Sequence, residues 1–288
     1  MASSSLSLFD LTPGKVLLGH YEVRGPHREN GMSAAFTVID QRDNGRRELQ
    51  AFPGALFEGA GQANAFAEKI RAWSEVQSDV LLHLHEVRVL DDGAVLVVTD
   101  FPPGISLRAW RSAHGRMDAA PAVRLAVRLL RGLEASHRAG LVHGDIKPET
   151  IWFRDEDESA VFVDAGVTPS LWAAKHLGTR TALIGTPFYA PLEQFSGESP
   201  DELSDMYNLA TVLYELLTGV LPWAGKGYIE VFQSKLQPGP PPMRQLAPHV
   251  EVPAAVEAAI ARSLRGKRDE RYASASELRA ALEALKLD

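Results

Sequence analysis

HGDIKPET, residues 143–150, is a polar cluster set between two apolar runs. GLEASHRAGLV precedes it, and IWF follows it and leads through the acidic turn DEDES to VFVDAG at 161–166. Apolar elements on both sides hold Asp145, Lys147 and Asp164 on one rim, with the loop backbone open to a substrate. Two carboxylates and an ammonium facing a common cleft make this a catalytic-loop layout.

Outward from this loop the chain is punctuated by recognisable elements. APAVRLAVRLLRGLEASHRAG, residues 120–140, repeats apolar positions at Val123, Val127, Leu130 and Leu133 and closes on Gly140, which predicts a helix under the loop. On the far side, SDMYNLATVLYELLTGVLPW at 204–223 reads as a second helix capped by Gly219, and two amphipathic helices are expected around Val256 and Leu278. Upstream, YEV at 21–23 and MSAAFTVID at 32–40 predict two strands around a turn holding Asn30 and Gly31. RRELQAF at 46–52 is the next strand, residues 63–76 are helical through Phe66, Ile70 and Trp73, and AVLVVTDF at 94–101 is a buried strand ended by PPG at 102–104.

Composition bounds the function classes. The 288 residues are 45% hydrophobic and 23% charged, enough to bury a full core in one domain or two lobes. The net charge of -7 argues against a nucleic-acid surface, and the one basic cluster, ARSLRGKRDERY at 261–272, is interrupted by Asp269 and Glu270. Without cysteine there are no disulfides and no thiolate metal sites. LATVLYELLTGVLPW contains Glu215 and is too short to span a bilayer, and MASSSLSLFD lacks the features of a signal peptide, so no membrane segment and a cytoplasmic location are expected.

The loop resembles that of serine/threonine protein kinases, HRDxKPxN, and VFVDAG is similar to the segment around their metal-binding DFG. GTPFYAPLEQ at 185–194 resembles GTPxYMAPEQ, and residues 204–223 resemble SDxYSLGxxLYELLTGxxPF, the most specific match. HGD also occurs in small-molecule phosphotransferases, but the KPE, GTPFY and SDMY segments favour protein kinases of the bacterial type. The resemblance, from about Gly14 to Leu287, implies an α+β bilobal protein-kinase-like fold. Residues 1–13 are then a leader, 14–101 a small β-rich N-lobe with its αC helix, and 102–288 a larger, mainly helical C-lobe.

Residue by residue, the resemblance makes Asp145 the aspartate that accepts the substrate hydroxyl's proton and Lys147 its phosphoryl-steadying neighbour. Asp164 takes the place of the magnesium-binding aspartate, and Thr150 that of an asparagine metal ligand. Thr186 is expected to contact the catalytic aspartate, Glu193 to pair with Arg271, and Asp205 to tether the loop backbone. Thr168, Ser170, Thr179 and Thr181 are further hydroxyls in the activation loop.

The departures surround one ligand. The pattern GxGxxG falls on Arg28, Asn30 and Ser33, with Gly31 beside them, so close backbone approach to phosphate is harder. The phosphate-binding lysine aligns with Ala51 or Gln50, no lysine lies between Lys15 and Lys69, and its glutamate partner aligns with Lys69 or Glu68. Thr99 is the gatekeeper, Asp100 follows, and Pro102, without an N–H, stands where the hinge donor for adenine belongs. Trp152 lies under the adenine site, either filling it or turned into the core. Gly144 replaces an arginine, and Ala165 a lobe-bridging phenylalanine that Trp73 is placed to replace. The lysine, hinge and loop deficits together remove about 4 to 6 kcal/mol of nucleotide affinity if additive. The expectation is a pseudokinase acting as a regulatory or protein-binding module through its C-lobe, with ATP and Mg2+ bound weakly or not at all. The alternative is a divergent active Ser/Thr kinase that uses Asp145, with Lys69 supplying the missing ammonium.

Overall fold

The computed structural model describes residues 11–175, 187–223 and 225–287. The chain divides into two compact units. The smaller takes the described residues of Met1–Glu75, Leu82–Pro102 and Ser170–His176, and the larger takes those of Val76–Leu81, Pro103–Pro169 and Leu177–Asp288.

The smaller unit has six described strands: β1 (Val16–Leu17), β2 (Tyr21–Asn30), β3 (Ser33–Asp40), β4 (Gly45–Phe52), β5 (Leu84–Val89) and β6 (Val95–Asp100). They form one antiparallel sheet in the order β1-β2-β3-β4-β6-β5. Side chains alternate across a strand, and one face gathers Tyr21, Val23, Phe36, Val38, Leu49, Ala51, Leu96 and Val98 into a buried cluster with Leu11 and Leu17. The opposite face is mixed. Cross-strand registers set Thr37, Glu48 and Thr99 in one row and Arg28, Ala35, Gln50 and Val97 in the next.

The first hairpin is longer than its sequence pattern predicts. β2 runs to Asn30 because two register shifts, at Val23/Gly25 and Pro26/Arg28, let the strand carry Pro26 without breaking the ladder. The turn centre is therefore Gly31-Met32. Asn30 Oδ1 accepts from the Met32 and Ser33 N–H groups at 2.9 and 2.8 Å, forming an Asx turn.

α1 (Ala60–Arg71) buries Ala63, Phe66, Ala67 and Ile70 on one stripe, with Phe66 edge-on to Phe52 at 4.9 Å between ring centroids. It stops five residues short of the expected 76. The Ser74 hydroxyl donates to the Arg71 carbonyl at 2.8 Å, and Ala72–Glu75 tighten into a 3-10 turn that carries the half-buried Trp73.

The larger unit is mainly helical. It contains α2 (Leu107–His114), α3 (Ala119–Arg138), α5 (Leu192–Phe195), α6 (Glu202–Thr218), α7 (Tyr228–Lys235), α8 (Met243–Leu246), α9 (Ala254–Ser263) and α10 (Ala275–Glu283), and the division between the units falls within α4 (Val167–Ala174). β7 (Ile105–Ser106), β8 (Ile151–Arg154) and β9 (Ser159–Phe162) add a small antiparallel sheet. α6 is buried from Ser204 to Thr218, its polar residues Asp205, Asn208, Thr211 and Glu215 included. A reciprocal Asp201–Ser204 capping box starts it, and Gly219 at φ 79° ends it. Among the described residues no helix is long and apolar enough to cross a membrane.

Candidate functional site

Within the larger unit, α6 holds the polar loop from behind. Asp205, in its first turn and fully buried, accepts the backbone N–H groups of His143 and Gly144, each at 2.8 Å, and lies 3.0 Å from the His137 ring. The His143 ring is buried too. Its Nδ1 accepts from the Asp145 N–H at 3.3 Å and its Nε2 donates to the Val163 carbonyl at 3.1 Å, an arrangement that requires the proton on Nε2. Burial lowers the His143 pKa and keeps the ring neutral in spite of Asp205, Asp145 and Asp164 nearby. One neutral imidazole thus joins the residue before Asp164 to the backbone of Asp145.

Asp145 and Lys147 are brought together: Nζ donates to the carboxylate at 2.5 Å, and both side chains keep a solvent-facing edge, 19% and 18% exposed. Asp164 is half-buried and stands in the left-handed region at φ 60°. Thr150 turns inward. Its buried hydroxyl donates to the Asp145 carbonyl at 2.8 Å and accepts from the Lys147 N–H at 3.1 Å, so it braces the loop. Gly144 has φ +83°, and a Cβ there would meet Pro169 Cδ at 2.5 Å, so this backbone and packing accept glycine and no side chain. Trp152 is buried on β8 but stands apart from the core cluster that takes its neighbours Ile151 and Phe153.

Beyond the loop, Glu193 meets Arg271 at 2.6 and 3.0 Å, and Arg268 also reaches Glu193, at 3.2 Å. Thr186, Thr179 and Thr181 lie outside the described residues. Thr168 and Ser170, candidate hydroxyls for modification, are buried. Two further features had no signature in the sequence. Glu215 of α6 receives the Tyr189 hydroxyl at 2.6 Å and Arg111 at 2.5 Å. Lys235, 1% exposed, donates to the carbonyls of Phe188 and Ala190 at 3.0 and 2.7 Å among the rings of Tyr207, Trp223 and Phe195.

In the smaller unit the two candidates for the phosphate-binding lysine position are on opposite faces of β4. Ala51 belongs to the apolar cluster, whereas Gln50 lies on the mixed face and donates to the Ser33 hydroxyl at 2.8 Å. On that face Arg28 grips Glu48 at 2.9 and 2.7 Å. His27 lies 3.4 Å from Glu48 and against Phe101, with ring centroids 4.4 Å apart. Its pKa is lowered to about 4, by burial first and then by the charges of Arg28 and Arg46, so the neutral His27 forms no ion pair with Glu48 at pH 7. Lys69 and Glu68 lie on the exposed face of α1, opposite its buried stripe. Asp100 pairs with His85 at 2.7 Å, and Pro102 is buried at the edge of the unit.

Comparison with known proteins gives this geometry a family. A family model described as protein kinase domain matches residues 38–277. The chain belongs to the protein kinase family. Serine/threonine-protein kinase pkn3 of Myxococcus xanthus is 28% identical over 283 residues, which cover 94% of this chain and 51% of that protein. PknB of Mycolicibacterium smegmatis is 32% identical over 188 residues, 65% of this chain and 29% of that protein. This kinase domain therefore spans at most about half the length of these relatives. Among solved structures, the Mycobacterium tuberculosis PknI kinase domain matches with TM-score 0.71 at 18% identity, covering 95% of this chain and 98% of that one. Rad53 in complex with AMP-PNP matches with TM-score 0.75 at 15% identity, covering 91% and 64%. The α+β fold of this chain, an antiparallel sheet unit and a helical unit, is that of the protein kinases.

Sequence reasoning passed over Glu48, although an acid inside a strand otherwise apolar at its end was the available signal. For Lys235 and Arg268 there was none, because both stand in polar stretches where a cation is ordinary.

Proposed function

We propose that this kinase domain is a pseudokinase, a regulatory or protein-binding module whose helical unit is kept while its nucleotide site is lost. The observation that carries the reading is Gln50. Of the two candidate lysine positions, Ala51 lies in the apolar cluster and Gln50, on the mixed face of β4, is a neutral amide hydrogen-bonded to Ser33, while the candidate substitute ammonium, Lys69, is exposed on α1. Phosphoryl transfer depends on positioned positive charge at that point.

The resident groups of the family, ATP and Mg2+, do not fit the residues present. Thr150 directs its hydroxyl into the loop backbone, where it braces the loop, and a metal at Asp164 would lack its second side-chain ligand. Pro102 offers no N–H at the hinge position. The relatives are named serine/threonine-protein kinases, and one solved neighbour is in complex with AMP-PNP. The partner expected here is a protein, bound through the helical unit.

A second reading, a divergent active Ser/Thr kinase, has one observation in its favour. Asp145 and Lys147 remain paired and partly open to solvent, and Asp145 is the group that would accept a substrate hydroxyl's proton. A thermal-shift titration with ATP and magnesium, run beside Asp164→Asn, decides between the two. The pseudokinase reading expects no shift at millimolar nucleotide. A saturable rise that Asp164→Asn abolishes, together with phosphate transfer that Asp145→Asn abolishes, overturns it.

A further inference from the structure

Arg28 and Glu48 are not neighbours in their sheet. β3 lies between β2 and β4, so with strands about 4.8 Å apart the two side chains reach toward each other over roughly 10 Å of backbone. The register places them beside Ala35 and Thr37 of β3, which are short enough to be crossed. There Arg28 Nε donates to Glu48 Oε2 at 2.9 Å and Nη2 to Oε1 at 2.7 Å, with the side chains 16% and 3% exposed. The surroundings are tailored to the pair. His27 stands beside Glu48, and Phe101 is flanked by His27 and by the Arg46 guanidinium, 3.4 Å from the ring centroid.

The same rows hold Gln50 and Thr99, which by the resemblance are one of the two candidate positions of the phosphate-binding lysine and the gatekeeper, and Arg28 falls on the first glycine of the phosphate-loop pattern. A bidentate guanidinium–carboxylate pair uses the two N–H groups that a phosphate would take, and the Glu48 charge repels any anion that approaches. That face therefore carries a largely buried ion pair where the resemblance expects a phosphate-binding lysine.

We propose that the Arg28–Glu48 pair is the resident occupant of the ligand face of the sheet, closing it to nucleoside triphosphates, and that removing the pair reopens it. The inference rests on the pseudokinase reading and adds the physical cause of the closure.

The test is a titration of the full chain with a fluorescent ATP analogue plus magnesium, competed with unlabelled ATP, with folding followed by circular dichroism. Wild type is compared with Arg28→Gly/Glu48→Ala, with the same double variant carrying Gln50→Lys, and with Glu48→Gln, a near-isosteric change that keeps the fold if the double variant loses it. Wild type is expected not to saturate at about 1 mM, and the double variant to bind about tenfold tighter or better, with a further gain from Gln50→Lys. Glu48→Gln is expected to gain affinity too, because Arg28 is released from its counter-charge. Micromolar binding by wild type, or folded variants that bind no better than wild type, overturns the proposal. Phosphate transfer by wild type sinks the pseudokinase reading, whereas a non-binding, inactive wild type with silent variants sinks the occupancy alone.

Discussion

The guanidinium of Arg271 closes on the carboxylate of Glu193 with two hydrogen bonds, 2.6 and 3.0 Å long. The side chains are 2% and 5% exposed, and Arg271 also donates to the carbonyls of Arg265 and Gly266, so the buried cation is well satisfied. Deleting one partner strands the other charge. Glu193→Ala is expected to lower stability by about 3 to 5 kcal/mol in urea unfolding, and the Glu193→Ala/Arg271→Met double variant to lose clearly less than the sum of the singles. Additive losses would show that the pair is not coupled.

Asp205 acts through its two backbone acceptor bonds to residues 143 and 144. An asparagine can accept one of them but turns an N–H toward the other donor. Asp205→Asn is therefore expected to cost about 3 kcal/mol or more. Hydrogen exchange at the His143 and Gly144 amides reads the effect directly, and unchanged protection would contradict it.

Restoring the family's arginine at Gly144 is expected to harm the protein. The φ of +83° and the 2.5 Å approach to Pro169 Cδ penalise any side chain, by about 1 to 2 kcal/mol for the backbone and about 1 to 3 for overpacking. A Gly144→Arg protein that melts with wild type would mean the loop adopts another path.

His27 makes stability pH-dependent. Its folded pKa is about 4 against the ordinary 6.5, so between those values the unfolded chain binds the extra proton and stability falls as pH falls. About 1 kcal/mol is expected to be lost between pH 7 and 5 after allowance for solvent contact, and buried His143 adds to it with the same sign. His27→Asn should flatten this slope in urea titrations; an unchanged slope would remove His27 from the account.

Lys235 acts below the ordinary lysine range. Burial pushes its amine well below the ordinary 10.5, so the unfolded chain binds more protons there and stability rises with pH until the unfolded lysine also titrates. Lys235→Met should abolish that rise and, by leaving the Phe188 and Ala190 carbonyls without their donor, cost about 1 to 3 kcal/mol at pH 7. Persistence of the rise in the variant would assign it to another group.

Much of the fold could be read locally. The cap signals of α6 at Asp201 and Gly219 and the apolar spacing of α3 are short-range patterns, and the kinase motifs mark their order along the chain. The hairpin and the end of α1 depart from their sequence patterns because β-bulges around Pro26 and the Ser74 hydroxyl bond are tertiary and local-competition effects that periodicity does not carry. In the candidate site, Asp145 and Lys147 are two residues apart, so their meeting needs only a tight loop. Arg28 and Glu48 are separated by 20 residues and a whole strand, and nothing in either segment announces the other.

By itself the amino-acid sequence determined which chemical groups this kinase domain possesses, which it lacks, and in what order its elements follow one another. The tertiary structure alone decided where the survivors point. Gln50 and Ala51 differ by one residue, and in a strand one residue is the difference between the apolar core and the opposite, mixed face. Thr150 could have faced solvent or backbone, and the closing of the 143–150 loop on its hydroxyl chose the backbone, because a buried hydroxyl must be hydrogen-bonded.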